Sequence, residues 1–216
     1  MKKFLSVLVL ICAAILPSPA QDMFDNADNH PYLGIRAGLD LTCPGKWNYS
    51  DTFKNGAGFD LGAIYNIPLW KNLYFEPGLM LYYSNMGSDI TITSDSGPGQ
   101  EANIGIRRFG FRVPFRFGYR FDFDAEYLSS ISFFTGPQLE FGLWGKEHAK
   151  LDPGISYSES CFKDTFHRTN IGWEFGVDFT AGRFVFEIAG TAGMLNLTKH
   201  GKYHQGNVQF NIGYNF

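Results

Sequence analysis

The chain has 216 residues, of which 44% are hydrophobic and 18% charged, and its formal net charge at pH 7 is −3. This length suits a single domain, and the small negative charge argues against nucleic-acid binding, which requires a basic surface. The 25 Gly, 22 Phe and 11 Tyr residues are typical of closely packed strands that face lipid. A helical membrane protein is excluded, because the mean hydropathy is slightly negative.

The N-terminal residues predict a secretory signal. Lys2 and Lys3 precede an apolar stretch, and small residues follow at positions 18–20. Cleavage there leaves 16 basic and 21 acidic residues, a net charge of −5. No later run reaches the about 20 apolar residues that a membrane helix needs. The expected organisation is a signal peptide, a short periplasmic leader and one barrel domain, at residues 1–20, 21–31 and 32–216.

Eight segments that alternate between polar and apolar residues predict β-strands. Glycine, proline and asparagine separate them and indicate turns or loops. The expected strands, in chain order, are Tyr32–Thr42, Gly58–Pro68, Leu73–Ser84, Ile106–Phe121, Ile131–Leu143, Asn170–Thr180, Arg183–Leu195 and Asn207–Phe216.

The fourth of these strands shows the alternation most clearly. Across residues 108–121, every odd position is large and apolar, and every even position is Arg, Gly or Pro. Because a strand directs successive side chains to opposite faces, one face carries a ladder of guanidinium groups. A soluble sandwich or a lipocalin-like barrel also alternates. Glycine and charge sharing the polar face favour the inverted arrangement, with a narrow polar interior and an apolar face toward lipid.

The connections between the strands give a second signal. Those at 69–72 and 181–182 are short, and the one at 122–130 is intermediate, whereas four are long and polar, at 43–57, 85–105, 144–169 and 196–206. Alternating short and long ends are typical of outer-membrane barrels, which close because an open sheet edge is too costly in lipid. The sequence therefore predicts an all-β, eight-stranded antiparallel up-and-down transmembrane barrel. This barrel is expected to lie in the lipid bilayer of the outer membrane, with short periplasmic turns and long external loops.

The polar faces place twelve charged side chains in the predicted lumen. Five arginines nearly balance seven acids, and an eight-stranded barrel has room only for its own side chains. We expect a salt-bridged structural core, with a small gated channel as the alternative, since a selective channel keeps a constriction of one sign. The expected network consists of Arg36, Asp40, Asp60, Glu76, Arg108, Arg112, Arg116, Arg120, Glu140, Glu174, Asp178 and Glu187.

Antiparallel pairing predicts which of these charges meet. Folding the third and fourth strands about the centre of their connection sets Glu76 opposite Arg116. Folding the fourth and fifth strands in the same way sets Arg112 opposite Glu140. Further acceptors from across the lumen are expected from Glu174, Asp178 and Glu187.

No residue pattern in the chain predicts a catalytic, cofactor or metal site. His148 and His167 lie in the fifth connection, and His200 and His204 in the seventh, near several serines and acids. No spacing between serine and histidine forces them together. A lipid hydrolase or acyltransferase is therefore only an alternative. His200 and His204 could bind a metal, but solvated histidines in a loop are more common than such a site.

Two cysteines remain after signal cleavage. Cys43 begins the first long loop, and Cys161 lies in the fifth connection. Both are expected on the external side, in an oxidising compartment where a disulfide persists. Such a bond requires Cα atoms within about 7 Å, so the sequence leaves open a disulfide across the mouth or two free thiols.

Three short segments carry a resemblance to a known family. They are Phe111-Arg112-Val113-Pro114-Phe115, Phe134-Thr135-Gly136-Pro137-Gln138-Leu139 and Gly213-Tyr214-Asn215-Phe216. They resemble the PorT-like outer-membrane β-barrel family of Gram-negative bacteria, and the similarity extends over the mature chain. The resemblance implies a small eight-stranded barrel and a role for Phe216 in recognition by the barrel-assembly machinery. An ordinary aromatic of the interface girdle is the alternative for Phe216.

The expected function is structural or interactive, through the external loops. Name-giving members of the resembling family serve in protein secretion across the outer membrane, so a secretion accessory and an adhesin both remain open. The external or secretion partner is unknown, and no cofactor and no enzymatic activity are expected.

Overall fold

The computed structural model describes residues 30–45, 53–92, 100–123, 128–151, 155–199 and 203–216. The expected signal peptide and nearly all of the leader lie outside the described residues, as does His200. The described part folds into strands and one short helix. Their bounds are β1 Tyr32–Gly45, β2 Phe53–Trp70, β3 Leu73–Ile92, β4 Gln100–Asp122, β5 Ser130–Leu151, β6 Ile155–Ser160, α1 Cys161–Asp164, β7 Thr169–Ala181, β8 Phe184–Gly193 and β9 His204–Asn215.

Eight of these strands close an antiparallel barrel, as the sequence predicts. Neighbouring strands pair in chain order, except that β5 pairs with β7 as well as β4, and β9 returns to β1. The closing pair runs from Gly34 opposite Asn215 to Gly45 opposite His204. The remaining strand, β6, pairs with the external end of β5 and lies outside the closed ladder. Among the described residues, no helix is long and apolar enough to span a membrane.

Two short turns mark the periplasmic rim of the barrel. β2 ends at Trp70 and β3 begins at Leu73, while β7 ends at Ala181 and β8 begins at Phe184. Within these turns, Lys71 (φ 52°) and Gly182 (φ 59°) adopt left-handed backbone conformations, which glycine tolerates best. Since short turns face the periplasm in such barrels, the opposite rim is external.

Most strands run further toward the external side than the sequence predicts, although β8 ends at Gly193, two residues before the predicted Leu195. The third connection, expected at 85–105, is largely strand, because β3 continues to Ile92 and β4 begins at Gln100. The fifth, expected at 144–169, contains the end of β5, all of β6 and α1. The alternation of polar and apolar residues reports contact with lipid, so it fades where a hairpin leaves the bilayer although backbone pairing continues.

The two faces of the barrel wall are inverted relative to a soluble protein. Arg112 and Asp40 point inward and are fully buried, at 0% exposure, whereas Leu39 and Ile212 point outward at 63% and 67%. The glycines of the inner face make room for long side chains: a Cβ at Gly213 would lie 2.5 Å from Arg36 Cδ, and one at Gly118 would lie 2.2 Å from the Tyr74 ring. An apolar outside and a charged inside are the faces of a barrel that spans the outer membrane.

Candidate functional site: the lumenal charge network and the external plug

Arg116 on β4 is the centre of the lumenal network. Its Nε and Nη2 donate to Glu174 on β7 at 3.1 and 2.8 Å, and its Nη1 and Nη2 donate to Glu187 on β8 at 2.9 and 3.0 Å. Nη1 also donates to Glu76 on β3 at 3.3 Å. The guanidinium thus makes two forked contacts and one single contact, and it links four strands across the lumen.

Arg112 on β4 forms the second group of ion pairs, two inward-facing positions nearer the external rim than Arg116. Its Nη2 lies 2.6 Å from Asp40 Oδ2, and its Nε donates to Glu140 Oε2 at 3.0 Å. The Tyr82 hydroxyl donates to the other oxygen of Glu140 at 3.2 Å, and Arg108 Nη1 lies 3.5 Å from the same oxygen. A buried charge without such partners would be costly.

The register of the central strands agrees with the pairing expected from the sequence. Glu76 lies opposite Arg116, and Arg112 lies opposite Glu140. The partner that local pairing did not reveal is Asp40, which reaches Arg112 from β1 on the far side of the lumen.

Nine of the twelve residues expected in the network form ion pairs with one another. Arg36 joins the central group through Glu187 at 3.7 Å. Arg120 is separate, because it lies near the periplasmic rim and donates to the Tyr32 hydroxyl at 2.8 Å. Asp60 and Asp178 are buried without an ion pair among the described residues.

Aromatic rings accompany the arginine ladder, a feature not predicted from the sequence. Each guanidinium of the ladder lies over at least one ring, with centroid distances of 4.4–5.6 Å. The rings over Arg112 and Arg116 belong to Tyr82 and Phe134. Both occupy even positions, in phase with inward Glu76 and Glu140, so strand parity carries the signal. The pairs are Arg108–Phe166, Arg112–Tyr82, Arg116–Phe134, Arg120–Tyr32 and Arg120–Tyr74.

A hydrophobic plug fills the external mouth of the barrel above the ion pairs. α1 and its flanks direct apolar side chains inward, and residues of β3, β4 and the seventh connection meet them there. Two glycines of β5 provide the space. A Cβ at Gly142 would lie 2.2 Å from Phe162 Cζ, and one at Gly145 would lie 2.3 Å from Cys161 Sγ. The plug consists of Met86, Ile106, Cys161, Phe162, Phe166, Leu197 and Tyr203.

Two basic side chains fix the plug to the barrel wall and to the seventh connection. Arg168 Nη1 donates to the carbonyls of Gly142 and Leu143 at 3.1 and 3.0 Å, and its guanidinium lies 4.8 Å from the centroid of the Phe162 ring. Lys199 Nζ donates to the Phe162 carbonyl at 3.1 Å and to the Lys163 carbonyl. The carbonyl end of α1, which a short helix leaves without partners, is therefore bonded.

The structure does not contain the disulfide considered between Cys43 and Cys161, since both are free thiols. The barrel wall explains this. Cys43 continues the outward phase of β1 after Leu41, whereas Cys161 is fully buried inside the mouth. The Cys43 thiol contacts the Leu41 carbonyl oxygen at 3.9 Å. The two thiols therefore lie on opposite sides of the barrel wall.

The described histidines do not converge. His148 pairs with Ser158 in the β5–β6 hairpin, the His167 backbone donates to Leu197, and His204 begins β9. Among the described residues, no group of three His, Cys, Asp or Glu side chains is placed to hold a metal ion.

Phe216 lies at the periplasmic rim. Its side chain is 64% exposed, its ring lies 5.1 Å from that of Tyr214, and its backbone donates to the Leu33 carbonyl. Phe184 lies at the same rim, is 69% exposed and contacts the same Tyr214 ring at 5.4 Å. This geometry is that of an aromatic girdle.

No family model and no curated protein matches the chain. Several solved outer-membrane barrels are similar in fold. The attachment invasion locus protein Ail of Yersinia pestis, in complex with the heparin analogue sucrose octasulfate, has 18% identity and a TM-score of 0.44, covering 86% of this chain and 99% of that one. Neisserial surface protein A has 11% identity and a TM-score of 0.39, covering 86% and 97%. The outer membrane protein OprG from Pseudomonas aeruginosa has 10% identity and a TM-score of 0.39, covering 87% and 97%.

Proposed function

We propose that this protein is an integral outer-membrane barrel that acts by binding a partner at its external side, and that its lumen transports nothing. The observation that carries the proposal is the double closure of the interior. Ion pairs centred on Arg112 and Arg116 cross the lumen, and the plug fills the mouth above them. Function then belongs to the surface that projects beyond the bilayer.

The projecting surface has a feature suited to partner binding. The β5–β6 hairpin extends past the lipid-facing band, and among the described strands β6 pairs only with β5. The outer edge of β6 therefore presents backbone donors and acceptors to which a partner strand adds.

Conductance tests the closed lumen. The purified protein, inserted into planar phosphatidylcholine bilayers, is expected to give no current steps above the background of empty bilayers. Regular current steps would contradict the proposal and favour the gated channel. An outer-membrane porin that conducts ions, inserted into the same bilayers, is the positive control.

Surface display tests the external role. Bacteria that display the protein are expected to adhere to one another or to host cells more than bacteria with an empty vector. Ser158→Pro on β6 should reduce this adhesion, because proline lacks the backbone N–H and distorts the strand. Ser158→Ala, which keeps the backbone N–H at the same position, is the matched control. Equal adhesion by all cells would contradict the proposal.

A finer form of the proposal concerns secretion. The resemblance of three segments to the PorT-like family suggests that the partner belongs to a secretion apparatus. Deleting the gene in its native bacterium should then reduce the amount of secreted protein in the medium without changing envelope permeability. Unchanged secretion would leave adhesion as the role and contradict the secretion form.

A further inference from the structure

The outer face of the barrel carries an aromatic row at the external limit of its lipid-facing band. Tyr83 on β3 is paired with Phe109 on β4, and Phe109 is paired with Trp144 on β5. All three side chains point outward and are partly or fully exposed. Aromatic rings are enriched where hydrocarbon meets the headgroups, so this row marks the outer-leaflet interface.

A polar and basic row lies two residues further along the same strands. Strand geometry and tilt place it about 5 Å further from the bilayer centre, at the depth of the headgroups. All four of its members are exposed, and they are joined by direct cross-strand pairing. We call these residues the interface row: Asn85, Arg107, Lys146 and Ser160.

The two cations of the interface row face each other directly. Arg107 on β4 is paired with Lys146 on β5, and like charges in this arrangement destabilise a sheet. Among the described residues neither forms an ion pair, and the Lys146 ammonium lies 5.8 Å from the centroid of the Trp144 ring. The adjacent residues Glu147 and Glu159 lie opposite each other on β5 and β6, on the other face of the sheet, so their carboxylates do not neutralise the row.

The wall beyond the row is open. Gly87 and Gly105 are paired there, and a Cβ at Gly105 would meet nothing within 4 Å. Lys54 lies over Gly87, with side-chain carbons 3.6 Å from the position of a Cβ. Arg107, Lys146 and Lys54 therefore border these two glycines, and the exposed His148 lies opposite Gly105 on β5.

We propose that the interface row is a binding site for the phosphate group of an outer-leaflet lipid, with Arg107 and Lys146 as its direct ligands. A guanidinium forks onto two phosphate oxygens and an ammonium supplies a point charge, so one phosphate relieves the repulsion between them. Asn85 and Ser160 offer neutral donors on either side. Free phosphate has the same chemistry, but the depth of the row, next to Trp144, favours a phosphate carried by a lipid.

Thermal unfolding of the full chain tests the site. The protein is folded in octyl glucoside micelles, and the loss of the folded gel band is followed against temperature. Additions are bisphosphorylated lipid A, the same lipid after dephosphorylation, and inorganic phosphate. We expect bisphosphorylated lipid A to raise the midpoint temperature and the other two additions to leave it unchanged.

Variants assign the effect to the row. Arg107→Gln with Lys146→Gln should require an about tenfold higher lipid concentration for the same shift. Arg107→Lys keeps the charge without the fork and should give an intermediate requirement. Arg183→Gln removes an exposed cation at the periplasmic rim and serves as the matched control with no change. The folded gel band without lipid verifies that each variant folds.

Three results would overturn the proposal. An unchanged lipid requirement in the double variant would show that the two cations do not bind the lipid. An equal shift with dephosphorylated lipid would show that the phosphate is not the group recognised. An equal shift with inorganic phosphate assigns the row to a free anion rather than to a membrane lipid. None of these results depends on whether the external hairpin binds a partner, so this site and the proposed function are tested separately.

Discussion

At the scale of single residues, Arg112 holds three strands together through its guanidinium. It contacts Asp40 at 2.6 Å and Glu140 at 3.0 Å, and all three side chains are buried. Arg112→Met leaves two carboxylates in the lumen without this partner. We expect the free energy of unfolding to fall by about 3–5 kcal/mol, measured by urea unfolding of the protein in detergent micelles.

A second substitution separates pairing from simple loss of packing. Adding Glu140→Gln to Arg112→Met should restore part of the loss, and adding Asp40→Asn should restore more, because each removes a stranded charge. Arg120→Met is the control, since the Arg120 guanidinium lies near the rim, where it donates to the Tyr32 hydroxyl, and the cost of this change should be about 1 kcal/mol. Strictly additive losses for Arg112 and Glu140 would mean that their contact is energetically unimportant.

At the scale of elements, the plug makes a prediction about thiol chemistry. Burial raises the pKa of the Cys161 thiol to about 11, so below that pH the group is mostly protonated and unreactive. In the folded protein, maleimide at pH 7 should label the half-buried Cys43 and spare Cys161. Labelling of Cys161 should rise about tenfold per pH unit up to its pKa, as the thiolate fraction increases.

Loosening the plug should expose the same thiol. Arg168→Ala removes the bonds to the Gly142 and Leu143 carbonyls, and we expect Cys161 to become labelled at pH 7 while the folded gel band persists. Arg183→Ala, at the periplasmic rim far from the plug, is the control. Rapid labelling of Cys161 in the unmodified folded protein would show that the plug does not close the mouth.

The sequence predicts the barrel wall better than it predicts the plug, and the reason lies in what each element contacts. Strands with one face toward lipid alternate between polar and apolar residues, and this alternation predicts where the strands lie and which residues point inward. The length of the connecting hairpin then predicts the register of Glu76 with Arg116. The plug residues Phe162 and Leu197 lie outside the strands that face lipid, so no alternation of polar and apolar residues marks them. The contact of Asp40 with Arg112 crosses the lumen, and its position depends on the shear of the closed barrel, which no single hairpin specifies.

At the scale of the whole molecule, closure of the eight-stranded ladder predicts resistance to detergent. Every wall strand has two paired neighbours, so no edge is available from which unfolding starts. The protein in sodium dodecyl sulfate should migrate as a compact band when unheated and as a slower band after boiling. A single position before and after boiling would contradict the closed barrel.

Phe216 is expected to act either on folding of the barrel itself or on its assembly into the outer membrane, and two matched variants distinguish these roles. Phe216 and Phe184 have matched surroundings, since both are exposed at the periplasmic rim and both contact the Tyr214 ring. Phe216→Gln and Phe184→Gln should therefore have equal, small effects on folding of purified protein in detergent. If Phe216 is also read by the assembly machinery, only Phe216→Gln should lower the yield of folded protein in the outer membrane of cells, measured by the heat-modifiable band. Equal yields for both variants would mean that Phe216 acts only as an aromatic of the interface girdle, as Phe184 does.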